Sequence, residues 1–360
     1  MPIPFKGRGT GDNREGRFES LHVEVQEDGW WREEEIRAPA TEVRIELARS
    51  IISKNQSPDI PFNQSINPYR GCEHGCIYCF ARPTHAYLNL SAGLDFETKL
   101  FAKSNAAERL EQELSRRSYR PQLINLGAST DPYQPIEREH RITRGILEVL
   151  LRFRHPVTIV TKSHLVLRDV DLLQELAKQR LCYVMVSVTT LDEGLKRSLE
   201  PRAPSPTARL KAIAGLAAAG VPVGVLAAPM IPALNDHELE KILDAAADAG
   251  ASDAGFVLLR LPFEIKELFE DWLRTHAPLR AEHVLSRIRA MRGGQLNDPR
   301  FGSRFKGEGV EAALLKRRFE IACRRLGLNR GGQYALNLDA FRVPVQAAAA
   351  AQGQLSFDGL

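Results

Sequence analysis

Few cysteines, little net charge and no long apolar run narrow this chain by exclusion. Its 360 residues hold five cysteines, Cys72, Cys76, Cys79, Cys182 and Cys323. An odd, small number in a chain of this length argues against a disulfide framework. No apolar stretch reaches the roughly 18–20 residues that span a bilayer. Met1 to Arg17 is rich in glycine and charge and lacks the apolar centre of a secretory signal. The expectation is a cytoplasmic protein with no membrane contact. Net charge is +4, from 49 basic and 45 acidic side chains, too small by itself to require a nucleic-acid partner. With 43% hydrophobic and 26% charged residues, the composition is that of a folded globular chain with ample core material.

What is present is an ordered alternation. Apolar strand-like runs fall at Ile66–Tyr69, Leu123–Gly127, Val157–Thr161, Tyr183–Val188, Val223–Ala227 and Gly255–Leu259. Between them lie helical patterns at Asn105–Arg117, Thr143–Phe153, Asp169–Gln179, Thr207–Ala219 and Asp236–Ala249. Gly220 and Gly250 stand where two of these helices should stop. Strand, helix, strand at this spacing predicts right-handed βαβ units and a parallel sheet. Near-continuous apolarity fits strands covered on both faces. Polar residues gather just past the strand ends, at Ser129–Asp131, Lys162–Ser163, Thr189–Thr190 and Asn235–Asp236. Barrels and open doubly wound sheets both place their sites at those ends. The predicted organisation is an extended or partly disordered lead-in over 1–50 that docks by Trp30 and Trp31, a core over 51–262, a basic helical extension over 263–335 and a flexible tail over 336–360.

Three of the five cysteines fall within eight positions, in Cys72-Glu73-His74-Gly75-Cys76-Ile77-Tyr78-Cys79. Thiolates at this density select zinc or an iron–sulfur cluster over hard cations. Gly71 and Gly75 allow a loop tight enough to turn three sulfurs toward one point. No fourth cysteine is near. A cubane 4Fe–4S cluster on three thiolates leaves one iron open to an external chelator, and such clusters reach potentials of roughly −700 mV. A structural zinc site completed by His74 or His85, or a simple electron-transfer cluster, are the other readings of the same residues. Cys182 and Cys323 read as small core residues.

The three-cysteine spacing with an aromatic, Tyr78, before the third resembles the radical SAM superfamily. The wider stretch, from Ser57-Pro58-Asp59-Ile60-Pro61 through Cys79-Phe80-Ala81-Arg82-Pro83-Thr84-His85, resembles its spore photoproduct lyase-like branch. The resemblance runs from about Ile52 to Leu326. It implies an α/β fold, a partial (β/α)6 barrel, with Cys72, Cys76 and Cys79 holding a 4Fe–4S cluster and S-adenosyl-L-methionine lying across the strand ends. It also implies reductive cleavage of that cofactor to a 5′-deoxyadenosyl radical, with electrons from an external flavodoxin- or ferredoxin-type donor. In the family's pattern Ser129, Thr130 and Asp131 lie where small polar groups hold the methionine amine and ribose. Lys162 lies where this branch puts a lysine near the cofactor carboxylate. Ser187 suits the ribose or carboxylate, and Glu200-Pro201-Arg202 forms a polar clamp. The branch's hydrogen-donating cysteine is replaced here by Ala128, so the substrate chemistry of spore photoproduct lyase does not carry over by the same mechanism.

The small net charge hides an asymmetry. Residues 272–330 hold 14 basic and 5 acidic side chains, leaving −5 for the rest. Arg300, Arg304, Lys306, Lys316, Arg317, Arg318, Arg324 and Arg325 alternate there with Phe301, Phe305 and Phe319. Such a pattern is a candidate nucleic-acid contact, or an amphipathic element whose phenylalanines enter the core. The tail Gln354-Leu355-Ser356-Phe357 resembles peptides that dock bacterial DNA enzymes on the sliding clamp, without their usual Leu-Phe pair. An iron–sulfur or zinc protein that binds nucleic acid without radical catalysis is the alternative function.

Overall fold

The computed structural model describes residues 5–15, 17–18, 39–330 and 335–345. Trp30, Trp31 and the Gln354–Phe357 segment lie outside the described residues. Among the described residues ten strands occur in chain order: β1 (Glu42–Glu46), β2 (Ile52–Lys54), β3 (Gln64–Ile66), β4 (Tyr69–Arg70), β5 (Lys99–Lys103), β6 (Ile124–Leu126), β7 (Val157–Thr161), β8 (Cys182–Ser187), β9 (Val223–Met230) and β10 (Asp253–Leu258). Seven form one sheet in the order β10-β9-β8-β7-β6-β3-β2. Its first six are parallel, and β2 pairs antiparallel with β3 at one edge. The sheet is therefore the expected run of six parallel strands, open between β10 and β2, with one added edge strand.

Sequence explains this arrangement directly. The β7 run Val-Thr-Ile-Val-Thr buries Val157, Ile159 and Thr161, and the crossover helices present one apolar stripe each. Leu110 and Leu114, Ile146 and Leu150, Leu173 and Leu176, Ile213 and Leu216, and Ile242 and Leu243 are all fully buried. At roughly 25 cal/mol per Å2, each such side chain contributes about 1.5–3 kcal/mol to holding its helix on the sheet. Ser205 caps the Pro206–Ala218 helix by accepting from the Ala208 amide at 3.1 Å. Asn105 begins the Ala106–Leu114 helix as expected, but its side chain bonds to the backbone of Ala48 and not to the helix's own amides. Cys182 and Cys323 are buried in this main core.

A second, three-stranded sheet, β1-β5-β4, was not expected from the sequence. Its β1 lies inside the predicted lead-in and pairs parallel with β5. Arg8 and Thr10 are buried as well, so the lead-in is in part a structural layer beside the cysteine loop. A second correction concerns the tail predicted from 336, which is packed against the core through Ala340, Phe341 and Val343. Phe341 lies 5.6 Å from Tyr119 and 5.5 Å from His155, and the Arg342 amide donates to Phe153. Its aromatic ring supplies the cover the sequence pattern concealed. Among the described residues no helix is long and apolar enough to cross a membrane.

That cover has a measurable consequence. The His155 ring is fully buried, with Nδ1 donating to the Pro156 carbonyl at 2.9 Å and Nε2 accepting from the Tyr119 hydroxyl at 2.7 Å. Burial pushes its pKa down from 6.5 to about 4. The unfolded chain binds a proton in that window and the folded one does not. Stability is thus full above pH 6.5 and falls by about 3 kcal/mol toward pH 4. Denaturant unfolding across that range should show the slope in the wild type, and the slope should flatten in His155→Gln.

The C-terminal extension is held by both burial and charge. The Ile265–His276 and Ala281–Ala290 helices join Ile77, Tyr78 and Leu199 in a second core beside the cysteine loop. In the Gly309–Leu326 helix, Phe319 packs on Phe256 at 4.9 Å. Arg318 pairs with Glu240, Arg325 with Asp244, Arg304 with Asp59, and Arg300 with Asp298 and Glu308. Glu240, Asp244 and Asp59 belong to the body and neutralise part of the basic excess, while Asp298 and Glu308 lie within the extension itself.

Candidate active site

The cysteine loop leaves β4 and curls against the segment that precedes β5. Gly71 and Gly75 take φ of +73° and +68°. A Cβ on Gly75 would stand 2.8 Å from Glu97 Oε2, so space and backbone both demand glycine there. The Cys72 amide donates to Phe96 O at 2.9 Å. One side chain does most of the holding. Arg82, fully buried, donates to the carbonyls of Cys76 (2.8 Å), Gly75 (3.1 Å), Ala92 (3.1 Å) and Gly93 (3.0 Å), and pairs with the fully buried carboxylate of Glu97. Sequence reasoning passed over Arg82. Its only signal was an arginine three residues beyond the last cysteine.

All three thiols line one cavity of about 230 Å3 at the C-terminal ends of the parallel strands. Burial pushes each thiol pKa up, outweighing the opposing pull of Lys162 on Cys76 and of Arg82 on Cys79. Among the described residues no closed set of three His, Cys, Asp or Glu ligands is drawn together; the sulfurs stand instead along one cavity wall. His85 does not line this cavity; its Nε2 meets Lys99 O at 3.0 Å, which removes it as a fourth zinc ligand. His74 lies on the wall, with Nδ1 3.5 Å from Asp131. Three soft donors with no fourth thiol suit a three-thiolate iron–sulfur cluster. Cys72, Cys76 and Cys79 are the residues that would hold it.

The opposite wall comes from strand ends. Ser129, Thr130 and Asp131 follow β6; Lys162 follows β7; Ser187 ends β8; all line the cavity. Asn67 fixes the first of these, accepting from the Ser129 and Thr130 amides at 2.8 and 3.4 Å. Thr130 spends its hydroxyl on Tyr69 O (3.0 Å). Asp131 accepts from Thr161 Oγ1 and the Lys162 amide, each at 2.7 Å. It is thus a brace between two strands as well as a wall residue. Lys162 Nζ donates to Ser187 Oγ at 2.7 Å and lies 3.5 Å from Glu200.

Glu200 stands behind the wall. It accepts from Tyr78 Oη, from Thr189 Oγ1 (2.7 Å) and from Arg209, itself fully buried. Burial opposes its charge, but Arg209 and then Lys162 outweigh that and hold the carboxyl well below the usual range. Burial, then Glu200, pushes the Tyr78 phenol up. Tyr78 and Glu200 therefore orient Lys162 from behind. Arg202 departs from the expected clamp: it pairs with Glu73 at 2.7 Å and lines a neighbouring cleft with Tyr133 and His164. The peptide reverses at Pro201, so the two ends of Glu200-Pro201-Arg202 face different spaces. Arg209 and Asn67 complete the site and were missed, because each reaches it from a different element; Thr189, one of the polar residues past a strand end, joins through Glu200.

Comparison with known proteins agrees with this geometry. Residues 66–246 match the family profile of the radical SAM superfamily. An uncharacterized protein of Mycobacterium tuberculosis is 39% identical over 237 residues, covering 65% of this chain and 70% of that protein. An uncharacterized protein of the Acidianus two-tailed virus is 31% identical over 195 residues, covering 52% and 64%. Among solved structures, a spore photoproduct lyase variant with bound AdoMet and dinucleoside spore photoproduct superposes with a TM-score of 0.57 at 16% identity, covering 79% of this chain and 80% of that one. Membership carries the 4Fe–4S cluster and S-adenosylmethionine as cofactors. The chain belongs to the radical SAM superfamily, as an enzyme with the fold of spore photoproduct lyase.

Proposed function

We propose that this enzyme reductively cleaves S-adenosylmethionine at a cluster on Cys72, Cys76 and Cys79, and uses the resulting radical on a substrate admitted to the same cavity. The carrying observation is that three thiols and the polar strand ends bearing Ser129, Lys162 and Ser187 line one cavity. When bound, the cluster and S-adenosylmethionine supply one-electron reduction of a sulfonium and a 5′-deoxyadenosyl radical. The chain's part is to bind, orient and exclude water. Lys162, backed by Ser187 and Glu200, presents a fixed cation to an anionic group. Leu226, Val257 and Leu258 line the cavity with carbon. A flavodoxin- or ferredoxin-type reductant completes the electron supply, in the cytoplasm.

Anaerobically reconstituted protein, reduced with dithionite, should be brown and form 5′-deoxyadenosine. A colourless zinc protein without that product overturns the reading. Lys162→Met should weaken S-adenosylmethionine binding about tenfold, the worth of one charged hydrogen bond, as measured by equilibrium dialysis, with iron content unchanged.

A further inference from the structure

We propose that Arg260, with Phe80, forms the substrate-recognition end of the cavity and takes a ligand that carries an oxyanion beside a flat unsaturated ring. The inference rests on the function proposed above and adds the class of substrate. Arg260 follows β10 and lines the cavity together with Phe80 and Phe305. Its guanidinium lies 6.0 Å from the Phe80 ring centre and 4.8 Å from that of Phe305. Its Nε is buried without a hydrogen-bond partner, and among the described residues it makes no ion pair.

The neighbouring cations are committed. Arg304 Nε bonds Asp59 at 2.6 Å, while Arg292 donates to the carbonyls of Arg304 and Leu259, each at 2.7 Å. Burial, then Arg304 and Arg292, push the Arg260 pKa down to about 10, still charged at neutral pH. A charged guanidinium whose buried Nε has no acceptor, on a cavity wall beside Arg304 and Arg292 with only Asp59 opposing them, suits an anion. Phe80 is 50% exposed, a large apolar face with nothing to cover it, and a flat ring stacks there beside the guanidinium. Lys162, by contrast, follows β7. Three strand spacings, about 14 Å, separate β7 from β10. The two cations therefore stand at different strand ends of one cavity, Lys162 among the residues assigned to the cofactor and Arg260 outside them.

The full chain tests this by equilibrium dialysis against thymidine 5′-monophosphate, benzoate, thymidine and inorganic phosphate, with S-adenosylmethionine measured alongside. A ring-bearing anion should bind about tenfold tighter than thymidine or phosphate alone. The phosphate and carboxylate arms distinguish the two sources of the oxyanion. Arg260→Gln should lose that tenfold, Arg260→Lys should recover most of it, and Phe80→Ala should weaken ring-bearing ligands only. Equal binding to wild type and Arg260→Gln overturns the proposal. So does a parallel loss of S-adenosylmethionine affinity in Arg260→Gln, which would assign the residue to the cofactor. A wild type that binds S-adenosylmethionine but neither ring-bearing anion overturns the anion site alone. A wild type that binds no S-adenosylmethionine overturns the reading beneath it.

Discussion

Serine at any one of positions 72, 76 or 79 should strip the protein of iron and reduce 5′-deoxyadenosine formation by more than about a hundredfold. Loss of a group that merely supports a metal ligand already costs 10–100-fold, and here a ligand itself is exchanged for a hard oxygen that competes poorly for iron. The fold should survive, because the three thiols take part in little else: Cys72, Cys76 and Cys79 sit on a cavity wall. Cys182→Ala and Cys323→Ala are the controls. Both residues are buried in the main core, and both variants should keep full iron content at a modest cost in stability. Iron, sulfide and product measured on all five variants would settle the matter. Iron retained at full stoichiometry in a Cys76→Ser variant would remove that residue from the ligand set.

Arg82→Met should be the most destabilising single change near the site, by about 3–5 kcal/mol in denaturant unfolding. The change leaves the Glu97 carboxylate buried without its partner and frees the Cys76, Gly75, Ala92 and Gly93 carbonyls from their shared donor. Arg82→Lys keeps the charge but not the fork of donors, so it should recover only part of the loss. The double variant Arg82→Met, Glu97→Leu removes both charges and should be more stable than Arg82→Met alone. Arg82 is a positioning residue, and stability alone does not test that role. Iron uptake should fall in Arg82→Met even where the protein is still folded, and Arg82→Lys should take up more. Unchanged uptake would leave Arg82 a purely structural residue.

The legible and illegible parts of this protein divide along a physical line. The six parallel strands were readable because each is an apolar run followed by a one-faced helix, and both signals are local. Cys72, Cys76 and Cys79 were readable for the same reason: ligands from one short loop carry their spacing in the sequence. Ser129, Asp131 and Lys162 were placed by their positions just past strand ends, and Ser187 by the family resemblance. The β1-β5-β4 layer was missed because β5, Lys-Leu-Phe-Ala-Lys, is five residues long and buries only Leu100 and Ala102 fully. Arg202 was misplaced by reading adjacency in sequence as adjacency in space. Phe319, one of the aromatics considered for nucleic-acid stacking, is taken up in packing against Phe256.

By itself the sequence determined the fold class and the metal chemistry, since hydrophobic period and ligand spacing act over a few residues. Only the tertiary structure decided which groups stand behind the ligands. Arg82 with Glu97, and Glu200 with Arg209, are pairs whose value depends on burial, and burial is a property of the packed chain. The same holds for charge. Counting along the chain separates a basic extension from an acidic body, and only the folded chain sets Arg318 on Glu240 and Arg304 on Asp59. Arg260 is left among the described residues with no ion pair, on the wall of the cavity, because the nearby Asp59 is taken by Arg304.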